Sequence, residues 1–220
     1  MTPTLQFYSY PLSPPCDAVR IALKEKGLAH TLIAVDLPGA QNRSADFRSL
    51  NYLGRVPVLR HGDLTLFESH AILEYLEEMF PSPALLPADL PTRARARMWM
   101  AVLASEWHGL RRTLYHEGLL KPLKMLPGPA DRNLLMEARK VAAHHFDAME
   151  LQLEKNQQVS GEGYLVGSYS LADVAFTPTL YVLKKADLLP RKYPLLTAWS
   201  TRCLGRPSAP SWLEKPGYLR

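Results

Sequence analysis

Cysteine is scarce in this chain, with Cys16 and Cys203 its only two. So few thiols exclude a disulfide-stapled scaffold, and the fold must rest on its own core. The opening segment Met1-Thr2-Pro3-Thr4-Leu5-Gln6 lacks the basic and apolar regions of a signal peptide, so a reducing, cytoplasmic setting is expected. Long apolar runs are missing too. Pro, Lys, Arg or Glu interrupts every stretch that approaches bilayer length, and no membrane association is expected. There is no glycine-rich phosphate loop and no nucleophilic triad. His144-His145 are adjacent and diverge on a helix, and His116-Glu117 lacks the second histidine of a zinc motif, so no metal site is expected. Charge of one sign is hardly in excess, at a formal +5. Its densest clusters, Arg93, Arg95 and Arg97, then Arg111 and Arg112, have no interleaved aromatics and read as solvated helix faces rather than a nucleic-acid surface.

Apolar residues, by contrast, are plentiful at 47%, and 220 residues suffice for a small domain followed by a larger one. Strand and helix signals alternate at first. Leu5–Tyr8 reads as a strand, and Asp17–Lys26 as a helix with Pro15 in its first turn and Gly27 at its stop. Thr31–Leu37 reads as a second strand, parallel to the first through the crossover helix. A short helical piece near Ser44–Leu50 precedes two strands, Val56–Arg60 and Leu64–Phe67, joined by His61-Gly62-Asp63 as a hairpin turn. Ser69–Phe80 closes the unit as a helix, giving the order βαβαββα. The proline-rich run 81–91 cannot continue that helix and reads as a linker. Beyond it the pattern is helical: Thr92–Lys121, with Gly109 and Gly118 as places to bend, then Ala130–Gln157, Ser170–Ala186 and Tyr193–Leu204. The expected division is 1–80, a linker 81–91, and an all-helical domain 92–220.

Three features in the first domain suggest chemistry. At Val56-Pro57 a proline removes a ladder donor from the start of a strand. A cis bond there would turn the Val56 N–H and C=O toward an extended peptide, whereas a trans bond would make it an ordinary sheet edge. Glu68-Ser69 lies where a strand feeds a helix, whose free N–H groups attract a carboxylate. Ser69 adds a hydroxyl donor and Glu68 can pair with an ammonium group, so the pair suits the zwitterionic end of an amino acid. A serine there is also an ordinary helix cap. The third feature is Ser13-Pro14-Pro15-Cys16, in the loop before the first helix, where the helix dipole favours an anionic thiolate. The Ser13 hydroxyl could donate to a ligand thiolate without losing its proton. Lowering a thiol pKa from about 8.5 to about 6.5 takes about 2.7 kcal/mol, within reach of one charge-assisted hydrogen bond plus the dipole. Loop-forming Ser13 and core-packing Cys16 are the structural alternative.

These residues resemble the cytosolic glutathione transferases over nearly the whole chain. The resemblance implies α/β plus all-α architecture, with an N-terminal thioredoxin-like βαβαββα domain followed by an all-helical C-terminal domain. Tyr8-Ser9-Tyr10 before Ser13, then Val19-Arg20-Ile21-Ala22-Leu23, is similar to the zeta class; Val56-Pro57 and Phe67-Glu68-Ser69 are shared with theta-like and phi-like members. It implies Ser13 as activator of the glutathione thiol, Val56 and Pro57 beside the cysteinyl moiety, Glu68 and Ser69 at the γ-glutamyl end, and Gln41 near the other end. A homodimer and a detoxifying transferase acting on an electrophilic small molecule are likewise implied. Pro14 and Pro15 stand where the zeta class has a second serine and a cysteine, which separates this chain from the maleylacetoacetate isomerase signature. Cys16 occupies the second slot of a thioredoxin Cys-x-x-Cys, and Ser13 the first, so a dithiol mechanism is closed. The remaining alternatives are an isomerase, a thiol-disulfide or peroxide reductase using Cys16, and a non-catalytic glutathione-binding protein.

In the helical half, Trp107, Arg111 and Tyr115 share one helix face, with His108 and Arg112 beside them. The resemblance places this face at the electrophile pocket; an amphipathic core or dimer face is the alternative. Arg111 could take an anionic substrate group. Ser170-Leu171-Ala172-Asp173 has the form of a capping box and reads as structural.

Overall fold

The computed structural model describes residues 4–161 and 163–211. Its contacts divide the chain into two compact units, residues 1–85 and 86–220. The expected helical domain extends past 211, so its last residues lie outside the described ones.

The first unit holds strands β1 (Leu5–Ser9), β2 (His30–Ala34), β3 (Val58–His61) and β4 (Leu64–Phe67), with helices α1 (Pro14–Glu25), α2 (Ala45–Leu50) and α3 (Ser69–Met79). The sheet order is β2-β1-β3-β4, with β1 parallel to β2 and antiparallel to β3, and β3 antiparallel to β4. Apolar β1 residues alternate inward, and α1 buries Val19, Ile21, Ala22 and Leu23. Gly62 turns the hairpin with φ 61°, the left-handed conformation that a side chain disfavours.

Two strands differ from expectation for identifiable reasons. β2 ends at Ala34 because the chain closes on itself: the Asp36 N–H donates to Gln41 Oε1 at 2.8 Å and the Gly39 N–H to Asp36 Oδ1 at 2.9 Å. β3 begins at Val58, since Pro57 has no N–H to give a ladder. The first part of the proline-rich run is fastened rather than loose. The buried Lys26 ammonium pairs with Glu77 at 2.6 Å and donates to the Phe80 and Pro83 carbonyls at 2.8 and 2.9 Å.

The second unit contains α4 (Leu90–Ser105), α5 (Trp107–Tyr115), a π-helical turn (His116–Leu120), α6 (Arg132–Ser160), α7 (Leu171–Lys185) and α8 (Pro194–Leu204). Where one long helix was expected the chain breaks at Glu106, not at Gly109. The Ser105 hydroxyl donates back to the Ala101 carbonyl at 3.1 Å, a side-chain bond that bends helices. Gly118 sits in the π turn because a Cβ there would lie 2.7 Å from Leu188 Cδ1. A short bridged turn, Tyr164 to Gly167 and Val166 to Ser168, interrupts the otherwise helical pattern. α7 is buried along most of its length. Its Ser170–Asp173 capping box forms as expected, and the Asp173 carboxylate also accepts from Leu165 N and from Trp199 Nε1 on α8.

Candidate glutathione site

Register brings the candidate residues of the first unit to one end of the sheet. Tyr8 of β1 faces Val58 of β3, and Val58 faces Phe67 of β4. The carboxyl end of β1, the amino end of β3 and the carboxyl end of β4 therefore coincide. Ser13 follows the first, Val56 precedes the second, and Glu68-Ser69 follows the third. Ser9 pairs with Ala34 at the end of β2, so Gln41 leaves from the same edge. Ligands of α/β sheets gather at such carboxyl-end crevices.

Ser13 is the N-cap of α1, its Oγ accepting from Cys16 N at 3.4 Å. Pro14 and Pro15 fill the first two helical positions and carry no N–H. This helix end thus has fewer amides to offer an anion than most. Ser13 Oγ accepts the cap bond, so its O–H is the one donor of this side chain, and the Cys16 thiol lies within its reach. Arg20 ties the loop at both ends, donating to Ser9 Oγ at 2.8 Å and pairing with Asp17, whose N–H binds the Ser13 carbonyl at 3.0 Å. Cys16 is wholly buried, and burial pushes its thiol pKa up despite the hydroxyls of Ser13 and Ser9 and the charge of Arg20 nearby.

The Val56–Pro57 bond is cis. Among the described residues Val56 makes no backbone hydrogen bond, whereas its neighbours are anchored. Asn51 Nδ2 donates to the Arg55 carbonyl at 2.8 Å, and Asn51 Oδ1 accepts from Leu53 N at 3.1 Å. Glu68 adopts φ 68°, ψ 115°, an unfavourable backbone for a residue with a side chain, and no side chain caps α3. The amides of Ser69 and Ala71 have no partner among the described residues, so this helix end can receive a carboxylate. Gln41 is committed in part: its carboxamide oxygen holds Asp36 N and its NH₂ remains to donate.

The helical-half candidates do not form one cluster. Trp107 is a core residue, its ring 5.8 Å from Phe146 and 6.0 Å from Phe176. Tyr115 is buried as well, and His108 is exposed. Arg111 is half-buried with no ion pair or hydrogen bond among the described residues, and desolvation lowers its pKa to about 10. The Arg20 and Asn51 anchors were missed in the sequence. Only Asp17 and Arg20 at i, i+3 hinted at the first, and nothing local signalled the second.

A four-stranded mixed sheet of order β2-β1-β3-β4, flanked by helices and followed by an all-helical unit, has thioredoxin-like architecture with an α-helical extension. Residues 7–84 match the glutathione S-transferase N-terminal domain and residues 115–207 the C-terminal domain. The chain is 33% identical to glutathione S-transferase F10 of Arabidopsis thaliana, over 81% of this chain and 82% of the relative. It is 35% identical to maleylacetoacetate isomerase of Mus musculus, over 86% and 83%. A glutathione S-transferase-I structure bound with lactoylglutathione superimposes with TM-score 0.81 at 27% identity, over 93% of this chain and 96% of that one. The chain belongs to the glutathione S-transferase family, and it is a glutathione S-transferase enzyme.

Proposed function

We propose that glutathione lies across the shared end of β1, β3 and β4 and that Ser13 donates its hydroxyl hydrogen to the thiolate, which then attacks an electrophilic carbon. The observation that carries this is the Pro14-Pro15 pair: with no N–H at the first two helical positions, the Ser13 hydroxyl is the donor left to face an anion there. The Val56 N–H and C=O pair with the cysteinyl backbone of the tripeptide as an added strand. Glu68 receives its ammonium group, and Ser69 with the α3 amides receives its γ-glutamyl carboxylate. Pro57 shapes that edge, and the Gln41 NH₂ reaches the glycyl end. Arg111, desolvated and without an ion pair or hydrogen bond among the described residues, favours an electrophile carrying an anionic group. A cytoplasmic homodimer with a detoxifying role completes the reading.

Isomerisation is the second reading, favoured by the 35% identity to a maleylacetoacetate isomerase. Counting thiols separates the two. Transfer to an aryl halide consumes one glutathione per product, whereas isomerisation of maleylacetoacetate regenerates it. The buried Cys16 weighs against a reductase, because a nucleophilic thiol needs exposure and a lowered pKa. Cys16→Ala should retain transferase turnover while Ser13→Ala loses it, roughly 10²-fold or more if the hydroxyl stabilises the thiolate through the reaction. The reverse ranking would replace the transferase reading by the reductase one.

A further inference from the structure

Gln41 and Val56 stand on separate stretches of the first unit, one in a short 3₁₀ turn (Gln41–Arg43) after β2 and the other between α2 and β3. Neither is a strand residue, so the sheet register does not fix the distance between them. Each is anchored on its own side. The Gln41 N–H donates to the Asp36 carbonyl at 2.9 Å, and Gln41 Oε1 accepts from Asp36 N at 2.8 Å. Beside Val56, Asn51 Nδ2 donates to the Arg55 carbonyl, and the Gly54 N–H donates to the Asn51 carbonyl, both at 2.8 Å. One side chain joins the two stretches: Asn42 Nδ2 donates to the Gly54 carbonyl at 2.6 Å. Among the described residues no other hydrogen bond runs from 41–43 to 51–56. Gly54 has φ 61°, and a Cβ there would lie 2.8 Å from the Asn42 carbonyl oxygen, so the two main chains approach more closely than a side chain at 54 permits.

We propose that Asn42 is a positioning residue: without touching glutathione, it fixes the span between the Gln41 NH₂ and the Val56 edge, and so sets the preference for the tripeptide over the same molecule lacking glycine. This rests on the placement of glutathione given above, with the cysteinyl moiety at Val56 and the glycyl end at Gln41. Both anchors survive the loss of Asn42, since Asp36 still holds Gln41 and Asn51 still holds Arg55. Their separation is what is lost. A ligand held at the Val56 edge alone is indifferent to that separation. One that must reach Gln41 as well has to order the two stretches itself, which costs affinity.

Calorimetric titration of the full chain with glutathione and with γ-glutamylcysteine gives the ratio of the two affinities. Asn42→Ala and the similarly sized Asn42→Leu should each lower glutathione affinity about fivefold, the order of one neutral hydrogen bond, and leave γ-glutamylcysteine within about twofold of wild type. Asn42 is half-buried in a loop, and melting temperatures confirm that both variants are folded. Gln41→Ala should lower the same ratio, and adding Asn42→Ala to it should change nothing further, because Asn42 acts through the placing of Gln41. Equal losses for both peptides, or additive losses in the double variant, would make Asn42 a general support of the loop and overturn the proposal. Unchanged glutathione affinity in Asn42→Ala and Asn42→Leu, with the ratio altered in Gln41→Ala, would overturn it while sparing the placement of glutathione. An unaltered ratio in Gln41→Ala would remove the glycyl end from Gln41, and the inference would fall together with that placement.

Discussion

Glu68 carries the clearest sign of function at the residue scale. Its positive φ costs about 1–3 kcal/mol, and such conformations persist where the surroundings impose them, most often at binding sites. Glycine would accept this backbone freely but has no carboxylate for an ammonium group. Glu68→Gly should therefore weaken glutathione binding at least tenfold, by calorimetry, while stability to urea stays within about 1 kcal/mol of wild type. Undiminished affinity would remove Glu68 from the site. Ser13, Val56, Glu68 and Ser69 stood out in the sequence because each adjoins a proline or a strand-to-helix junction, and the strand register brings those positions to one end of the sheet. Arg20 and Asn51 were not, since their roles rest on loop closures that no local pattern records. Arg111 was legible as a cation, but its lack of a partner among the described residues emerges only from the packing.

Among the elements, α7 shows how a local motif is completed from afar. The serine-to-aspartate spacing announced a capping box, which forms. Nothing nearby announced that Trp199 of α8 would donate to the same carboxylate at 2.8 Å. Burial pushes the Asp173 pKa up, and donors from Leu165, Ser170 and Trp199 oppose that push. Asp173→Ala would leave those donors buried and unsatisfied, so unfolding in urea should show a loss of about 3–5 kcal/mol, with glutathione affinity per folded molecule unchanged. A normal unfolding midpoint with lost binding would make Asp173 a ligand residue instead. The break between α4 and α5 was misplaced for a related reason. Glycine was weighed as the weak point, whereas Ser105 bends the helix by bonding to its own backbone.

For the whole molecule, the element order of the first unit, the hairpin and the helical character of the second unit followed from periodicity and turn residues, and the strand ends did not. Pro57 and the Asp36–Gln41 closure each shortened a strand through hydrogen bonding rather than through hydrophobic pattern. The second unit also contains a source of acid sensitivity. Desolvation lowers the His145 pKa, reinforced by neighbouring His144 and opposed by Glu106, and desolvation lowers His116 as well. A histidine with a depressed folded-state pKa stabilises above its unfolded value of about 6.5, and that contribution is lost as pH falls through the folded value. The melting temperature should thus fall between pH 7.5 and 5.5, and less steeply in His145→Gln; an identical pH slope in that variant would assign the effect elsewhere. The central claim concerns the thiol, and ultraviolet absorbance of the thiolate tests it most directly. Glutathione bound to the wild-type enzyme should titrate well below about 8.5, and in Ser13→Ala it should return toward that free value. An unshifted titration in wild type, or an equal shift in Ser13→Ala, would contradict activation by Ser13.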